Sequence, residues 1–90
     1  MFKTLEELIA TIRQRKESSV EESYTYKLLK NKKLSVEKVK EEIAELIDAI
    51  ENNSNKVHES ADVLYHLMVL LEANGIKIED VMHELKKRQK

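Results

Sequence analysis

Residues 63–71 have the sequence Val-Leu-Tyr-His-Leu-Met-Val-Leu-Leu, which is apolar apart from one histidine and one tyrosine hydroxyl. The run is too short to cross a bilayer, which takes about 20 residues of helix. As a helix it is apolar around nearly its whole circumference, so it must be covered on every side. The other predicted helices are short and apolar on one face only. We therefore expect a second chain to complete the cover, as a two-fold homodimer.

The helix that contains this run is predicted to extend from about Lys56 to Ala73, because Asn74-Gly75 supplies the left-handed residue that ends a helix. The helix before it is predicted to be capped by Ser35 and to end at residues 52–55, Asn-Asn-Ser-Asn. Its apolar residues recur along one face, which is typical of a packed helix. These residues are Val36, Val39, Ile43, Leu46, Ile47 and Ile50.

The two ends of the chain are predicted to be helical as well. Thr4 and Glu7 have the spacing of a capping box, which favours a helix from there to about Lys16. Residues 17–22 are polar and weakly periodic, so a loop is expected, and residues 23–29 are predicted to form a short helical turn. A last helix is predicted for about residues 78–87.

The composition supports a helical fold. The chain has 90 residues with one glycine and no proline, and a β-rich domain of this size needs turn residues in larger numbers. Hydrophobic residues make up 41%, too many for a disordered chain. We therefore predict a single all-α domain over residues 1–90, a four-helix bundle completed by homodimerisation.

The charge and the cysteine count exclude several functions. Lys and Arg number 16 against 17 for Asp and Glu, which leaves no basic excess for binding nucleic acid. The chain has no cysteine, so thiolate catalysis, disulfides and zinc ribbons are impossible. The N-terminal sequence is too charged for a signal peptide. We expect a cytoplasmic protein with no membrane association.

Acidic pairs on neighbouring helices are the main chemical signal in the sequence. Glu42 and Glu45 are three residues apart, as are Glu59 and Asp62, so each pair shares one face of its helix. A short Asn/Ser turn joins the two helices, which should lie antiparallel and bring the four carboxylates together. Converging carboxylates repel one another unless a cation lies among them, and Mg²⁺ is the natural candidate. The alternative is ordinary surface, because the chain has 17 acidic residues.

The helical wheel favours the metal site. Glu59, Asp62 and His66 continue an apolar stripe that ends at Val69 and Ala73, and a carboxylate in such a stripe needs a partner. A di-iron bundle would need Glu-x-x-His on two helices. None of the three histidines has a glutamate three residues before it, so this alternative is rejected.

Four stretches carry a family resemblance. The pattern Glu-Glu-x-x-Glu of residues 41–45, followed by Glu-x-x-Asp of residues 59–62, resembles the signature of the MazG-like all-α nucleoside-triphosphate pyrophosphohydrolases. Residues 23–29, Ser-Tyr-Thr-Tyr-Lys-Leu-Leu, and the run from Glu59 to Leu71 resemble one branch more narrowly, the phosphoribosyl-ATP pyrophosphatases of histidine biosynthesis. Residues 78–85 resemble its closing helix, and the whole likeness covers about residues 5–88. The expected fold is therefore a MazG-like bundle, in the form with no cyclohydrolase domain attached.

The resemblance implies an activity and a set of site residues. The reaction would be the Mg²⁺-dependent hydrolysis of phosphoribosyl-ATP to phosphoribosyl-AMP and pyrophosphate. The implied Mg²⁺ ligands are Glu42, Glu45, Glu59 and Asp62. Glu41 would position the attacking water or support a ligand, and either Glu41 or Glu45 could be the general base.

One departure keeps other functions open. Lys40 stands where the family usually has a glycine beside the acidic cluster. A pyrophosphohydrolase that removes other nucleoside triphosphates is therefore a second hypothesis. A non-enzymatic helical dimerisation module is a third, because the apolar run at 63–71 is all that it needs.

Four more residues are predicted to support the site. Tyr24, Thr25 and Lys27 are candidates for contact with phosphate or ribose, with packing at the dimer interface as the alternative for the tyrosines. His66 is predicted to hydrogen-bond Asp62 one turn earlier and orient it, with a satisfied core histidine as the alternative.

Overall fold

The computed structural model describes residues 2–17 and 23–89, and within these ranges it consists of helices and short turns with no β-strand. The all-α prediction is confirmed. The helices number five in the described ranges, because the segment predicted as a short turn forms a helix of its own. They are α1 (Lys3–Glu17), α2 (Tyr24–Lys30), α3 (Lys32–Asn52), α4 (Lys56–Ala73) and α5 (Ile78–Arg88).

The turns around α4 agree with the predicted bounds of this helix. Gly75 has φ of 70°, and Ile76 N–H donates to the Leu71 carbonyl at 2.9 Å beyond the end of the helix. At the other end, Asn53 and Asn55 both adopt the left-handed conformation, with φ of 54° and 47°. Asparagine tolerates this conformation better than most residues, so the four-residue turn can reverse the chain tightly.

Two predicted helix caps are wrong. The residue that caps α3 is Asn31, whose side-chain oxygen accepts from Leu34 N–H at 3.0 Å, while Ser35 lies buried inside the helix. Asn31 reaches the same role four residues earlier because it also closes α2, where its N–H donates to the Leu28 carbonyl. Thr4 does not precede α1 but lies in its first turn, since the helix begins at Lys3. The predicted loop at 17–22 lies outside the described residues except for Glu17, which ends α1.

The core lies between α1, α2 and α4. Ile12, Leu28 and Val69, one from each helix, are almost completely buried. Ser23 caps α2 by accepting from Tyr26 N–H, which fixes this short helix where its leucines reach α4. The prediction that one chain could scarcely cover the apolar run at 63–71 was too strong, because α1, α2 and α3 all pack on α4. Leu64 is the member of the run that stays largely exposed, at 47%.

A row of exposed apolar side chains lies along α3. This helix buries Ser35, Val39 and Ala49 as it packs beside α4. Most of its predicted apolar stripe therefore faces away from the chain's own core. The exposed members, from 38% to 57%, are Val36, Ile43, Ile47 and Ile50. Within the described residues, no helix is both long and apolar enough to cross a membrane.

Candidate metal and nucleotide site

The α3–α4 pair brings three of the predicted ligands together. Carboxylate oxygens of Glu42, Glu45 and Glu59 lie within 4.8 Å of one another. The helical period places Glu42 and Glu45 on one face of α3. The tight turn then sets the start of α4, which carries Glu59, beside that face. The predicted convergence of acids from the two helices is therefore confirmed for these three residues.

The fourth predicted ligand belongs to an overlapping group. Ligand atoms of His58, Glu59 and Asp62 also lie within 4.8 Å of one another, so Glu59 is common to both groups. His58 Nε2 is 3.5 Å from Asp62 Oδ2. No role was predicted for His58, although its position four residues before Asp62 on the same helix indicates that the two side chains can meet.

The cluster leaves carboxylate oxygens buried without donors. In the described part of the chain, Glu42 Oε2 and Glu59 Oε2 are buried and have no hydrogen-bond partner. Burial raises the pKa of Glu42, as do a side-chain hydrogen bond with Glu45 and repulsion by Glu45 and Asp62. Buried acceptor oxygens without donors are costly. Mg²⁺ prefers oxygen ligands of this kind, so the residues present fit such an ion.

Glu41 lies outside both groups. Its carboxylate oxygen is 3.4 Å from Lys38 Nζ, one turn earlier on α3. This carboxylate raises the pKa of Lys38. The same ammonium group also interacts electrostatically with Glu42 and with the Tyr24 hydroxyl. Lys38 therefore places a positive charge at the edge of the acidic cluster formed by Glu42, Glu45 and Glu59, a feature not predicted from the sequence.

His66 bonds Asp62 through the backbone of that residue. Its Nδ1 is 2.8 Å from the backbone carbonyl of Asp62, and its Nε2 is 2.9 Å from the Tyr24 hydroxyl. Because a carbonyl only accepts, Nδ1 carries a proton, and a neutral ring then accepts from Tyr24 through Nε2. The predicted bond to Asp62 is therefore present, but it reaches the backbone carbonyl and does not orient the carboxylate, because a buried ring folded along its own helix meets the carbonyl four residues before it. The arrangement matches the alternative of a satisfied core histidine.

The predicted substrate residues of α2 divide into two kinds. The Tyr24 hydroxyl is bonded to His66, and the Thr25 hydroxyl is hydrogen-bonded to the Tyr65 hydroxyl. Tyr24 also stacks on Tyr65, with ring centroids 6.3 Å apart, and burial raises its pKa. These contacts attach α2 to α4 beside the acidic cluster. Lys27 is exposed on the same short helix.

Comparison with known proteins identifies the family. The family model described as phosphoribosyl-ATP pyrophosphohydrolase matches residues 5–89. A phosphoribosyl-ATP pyrophosphatase of Bacillus cereus (strain B4264) is 46% identical over 84 residues, covering 90% of this chain and 78% of the relative. One from Methanococcoides burtonii is 40% identical, covering 94% of this chain and 91% of the relative.

A longer relative shows the same likeness. The histidine biosynthesis bifunctional protein HisIE of Pyrococcus furiosus is 45% identical over 87 residues, which cover 96% of this chain and 41% of that protein. The match therefore corresponds to one part of the bifunctional protein. The family suggested by residues 23–29, 41–45 and 59–71 is confirmed: this chain belongs to the phosphoribosyl-ATP pyrophosphohydrolase family.

Proposed function

We propose that this protein hydrolyses phosphoribosyl-ATP between the α- and β-phosphates, giving phosphoribosyl-AMP and pyrophosphate, a step of histidine biosynthesis. Membership of the family supports the reaction and makes the protein a hydrolase. The observation that carries the proposal is the convergence of the Glu42, Glu45 and Glu59 carboxylates. Two of their oxygens, Glu42 Oε2 and Glu59 Oε2, are buried and have no donor in the described residues. Such a cluster suits a cation that binds a triphosphate.

The proposed cofactor is Mg²⁺. Its ligands would come from Glu42, Glu45, Glu59 and Asp62, and His58 would steady Asp62 from its 3.5 Å contact. When bound, the ion neutralises phosphate oxygens and lowers the pKa of a coordinated water. The clustering of carboxylates, the raised pKa of Glu42 and the lack of donors for two oxygens all support this assignment.

The remaining groups of the site would position the reactants. Glu41 and Glu45 both stay candidates for the carboxylate that takes the proton of the attacking water. Glu45 is exposed within the cluster, whereas Glu41 is held by Lys38 at its edge. His66 and Tyr24 hold α2 against α4, so their proposed role is to fix the helix that carries Lys27 close to the phosphates.

The decisive assay is the release of pyrophosphate from phosphoribosyl-ATP, measured with Mg²⁺ and with a chelator. We expect release only with Mg²⁺. A panel of canonical and modified nucleoside triphosphates tests the second hypothesis: preference for any of them, with phosphoribosyl-ATP left intact, would contradict the proposal. The dimerisation module predicts no release from any of these compounds.

We also propose that the working unit is a homodimer in the cytoplasm. The exposed stripe of α3, which includes Ile43, Ile47 and Ile50, supports a partner surface, because a row of aliphatic side chains gains stability when covered. Sedimentation should give twice the chain mass of 10.5 kDa. Ile47→Glu should shift the protein towards the monomer, and Gln14→Glu on α1 should not. A monomeric wild type would contradict this part of the proposal.

A further inference from the structure

Along α3, the acidic cluster is flanked by different chemical groups on its two sides. Lys38, Glu42, Glu45 and Asn52 recur at intervals of three to seven residues and share one face of the helix. Since a helix rises 1.5 Å per residue, Lys38 lies about 6 Å before Glu42 along the axis, and Asn52 lies about 10 Å beyond Glu45. The cluster therefore lies between a cationic end and an end formed by the α3–α4 turn.

The turn end contains a polar crevice of about 220 Å³. Glu45 and Glu59 of the cluster form one side of it, so the crevice opens directly from the proposed metal site. Beyond them it is lined by Asp48, Ala49, Asn52, Ser54 and Asn55. None of these lining residues is cationic. Lys56, next to the turn, donates to the Asn53 side chain at 2.6 Å.

The chemistry of the crevice favours a neutral, hydroxyl-rich group. The Asp48 carboxylate accepts hydrogen bonds only, while the amides of Asn52 and Asn55 both donate and accept. Ribose hydroxyls and the polar edge of a base match these groups. A phosphate would instead face the carboxylates of Glu45, Asp48 and Glu59, which repel it.

The cationic end favours phosphate. The Lys38 ammonium lies 3.4 Å from Glu41 and interacts with Glu42 and Tyr24. Its side chain keeps 32% of its exposure, so it can still reach a ligand in the site. The exposed Lys27 belongs to α2, the helix that carries Tyr24. Positive charge near the site therefore concentrates on the side away from the crevice.

We propose that the substrate lies along α3 with its β- and γ-phosphates towards Lys38 and its nucleoside half in the crevice at the α3–α4 turn. This inference rests on the proposed function and adds a direction to it. The scissile α–β anhydride then falls at the acidic cluster, pyrophosphate leaves from the Lys38 side, and Asp48 and Asn52 select for the nucleoside.

The test is a set of binding titrations with two probes, pyrophosphate and AMP, each in the presence of Mg²⁺. Lys38→Met should weaken pyrophosphate about tenfold, as expected for one charge-assisted hydrogen bond, and leave AMP within twofold. Asn52→Ala and Asp48→Asn should each weaken AMP about tenfold by the same reasoning and leave pyrophosphate within twofold. Lys86→Met and Asp80→Asn, both exposed on α5, are matched controls that should change neither probe.

The crossed pattern distinguishes a subsite from a general loss of structure, because each variant serves as the folding control for the other probe. The orientation is overturned if Lys38→Met weakens AMP as much as pyrophosphate. It is equally overturned if the crevice variants bind AMP as the wild type does. A wild type that releases no pyrophosphate from phosphoribosyl-ATP contradicts the proposed function and the orientation with it. An active wild type without the crossed pattern contradicts the orientation alone.

Discussion

Two glutamates on α4 lie in opposite electrostatic surroundings. Glu59, in the first turn, lies among other carboxylates, and its buried Oε2 has no hydrogen-bond partner in the described residues. Glu72, near the end of the helix, accepts from Arg13 Nε at 2.8 Å. Arg13 also binds both oxygens of Glu79 on α5, at 3.0 Å and 2.6 Å. One end of α4 thus gathers like charges, and the other gathers opposite ones.

The two ends of α4 also differ in how their charges affect the stability of the fold. Arg13 lowers the pKa of Glu79 to about 2, and the two glutamates raise the pKa of Arg13. Each group at that end favours the charge of the others, and Arg13 joins α1 to α4 and α5. At the other end the pKa of Glu42 is raised, so ionisation of this carboxyl group destabilises the folded chain. A cluster that costs stability persists where it binds or reacts with something.

The largest expected effect is on activity at the like-charge end. Glu59→Gln removes the carboxylate common to both ligand groups. Loss of a residue that only supports a metal ligand costs about 10- to 100-fold, so loss of a ligand should lower kcat/KM by more than about 100-fold. Pyrophosphate release measures it. Glu51→Gln, at an exposed position on α3, should retain activity. Equal activity in Glu59→Gln and the wild type would place the metal elsewhere.

The next effect is on stability at the opposite-charge end. Arg13→Met leaves Glu72 without its guanidinium partner, although the Glu72 side chain is only 13% exposed. We expect a loss of about 1–2 kcal/mol, between the values for surface and buried pairs. Thermal unfolding should show a Tm about 4–8 °C lower per kcal/mol. Arg88→Met breaks only the exposed pair with Glu84 and should barely change the Tm. Loss of metal binding in Arg13→Met would contradict the separation of the two ends.

A smaller effect of opposite sign is expected at Glu42. Its pKa in the folded chain is raised, so the folded state binds the proton more tightly than the unfolded one. Wild-type stability should therefore fall as the pH rises from the ordinary carboxyl range through the raised pKa. Without Mg²⁺, Glu42→Gln should escape that loss and unfold about 4 °C higher at pH 7. The two proteins should converge at acidic pH. A lower Tm for Glu42→Gln at pH 7 would contradict the repulsion.

The smallest effect is expected at Lys40, the departure from the family pattern. Lys40 is exposed on α3 and forms no ion pair with either charge cluster in the described part of the chain. Lys40→Ala keeps the helix and should change the KM for phosphoribosyl-ATP by less than about twofold, as is usual for a surface substitution. A shift of preference towards another nucleoside triphosphate would show that Lys40 contributes to substrate choice.

The sequence predicted the acidic site better than the helix orientation around it. Helical spacing and a short turn fix the relative positions of Glu42, Glu45 and Glu59, so their proximity was predictable from local sequence. The rotation of α3 could not be predicted in the same way. Its apolar stripe, with Ile43 and Ile47, was the natural face to bury, and the structure instead packs Ser35, Val39 and Ala49 against the chain's own core.

Hydrogen-bond partners were the hardest feature to predict. His66 contacts Asp62 as predicted, but its ring bonds the backbone carbonyl, and the Asp62 carboxylate contacts His58 instead. His58 and His66 each lie one helical turn from Asp62, so spacing alone could not predict which of them contacts the carboxylate. Likewise Asn31 and Ser35 were both acceptable caps, and only the junction with α2 favours Asn31.

The most direct test of the central claim is the effect of Mg²⁺ on the Tm of the wild type and of Glu59→Gln. If the like-charge cluster is a cation site, saturating Mg²⁺ should stabilise the wild type by about 2.7 kcal/mol at a hundred times its Kd. Glu59→Gln should unfold at or above the wild-type Tm in chelator and respond little to Mg²⁺. An equal rise in both proteins, or no rise in the wild type, would contradict the claim.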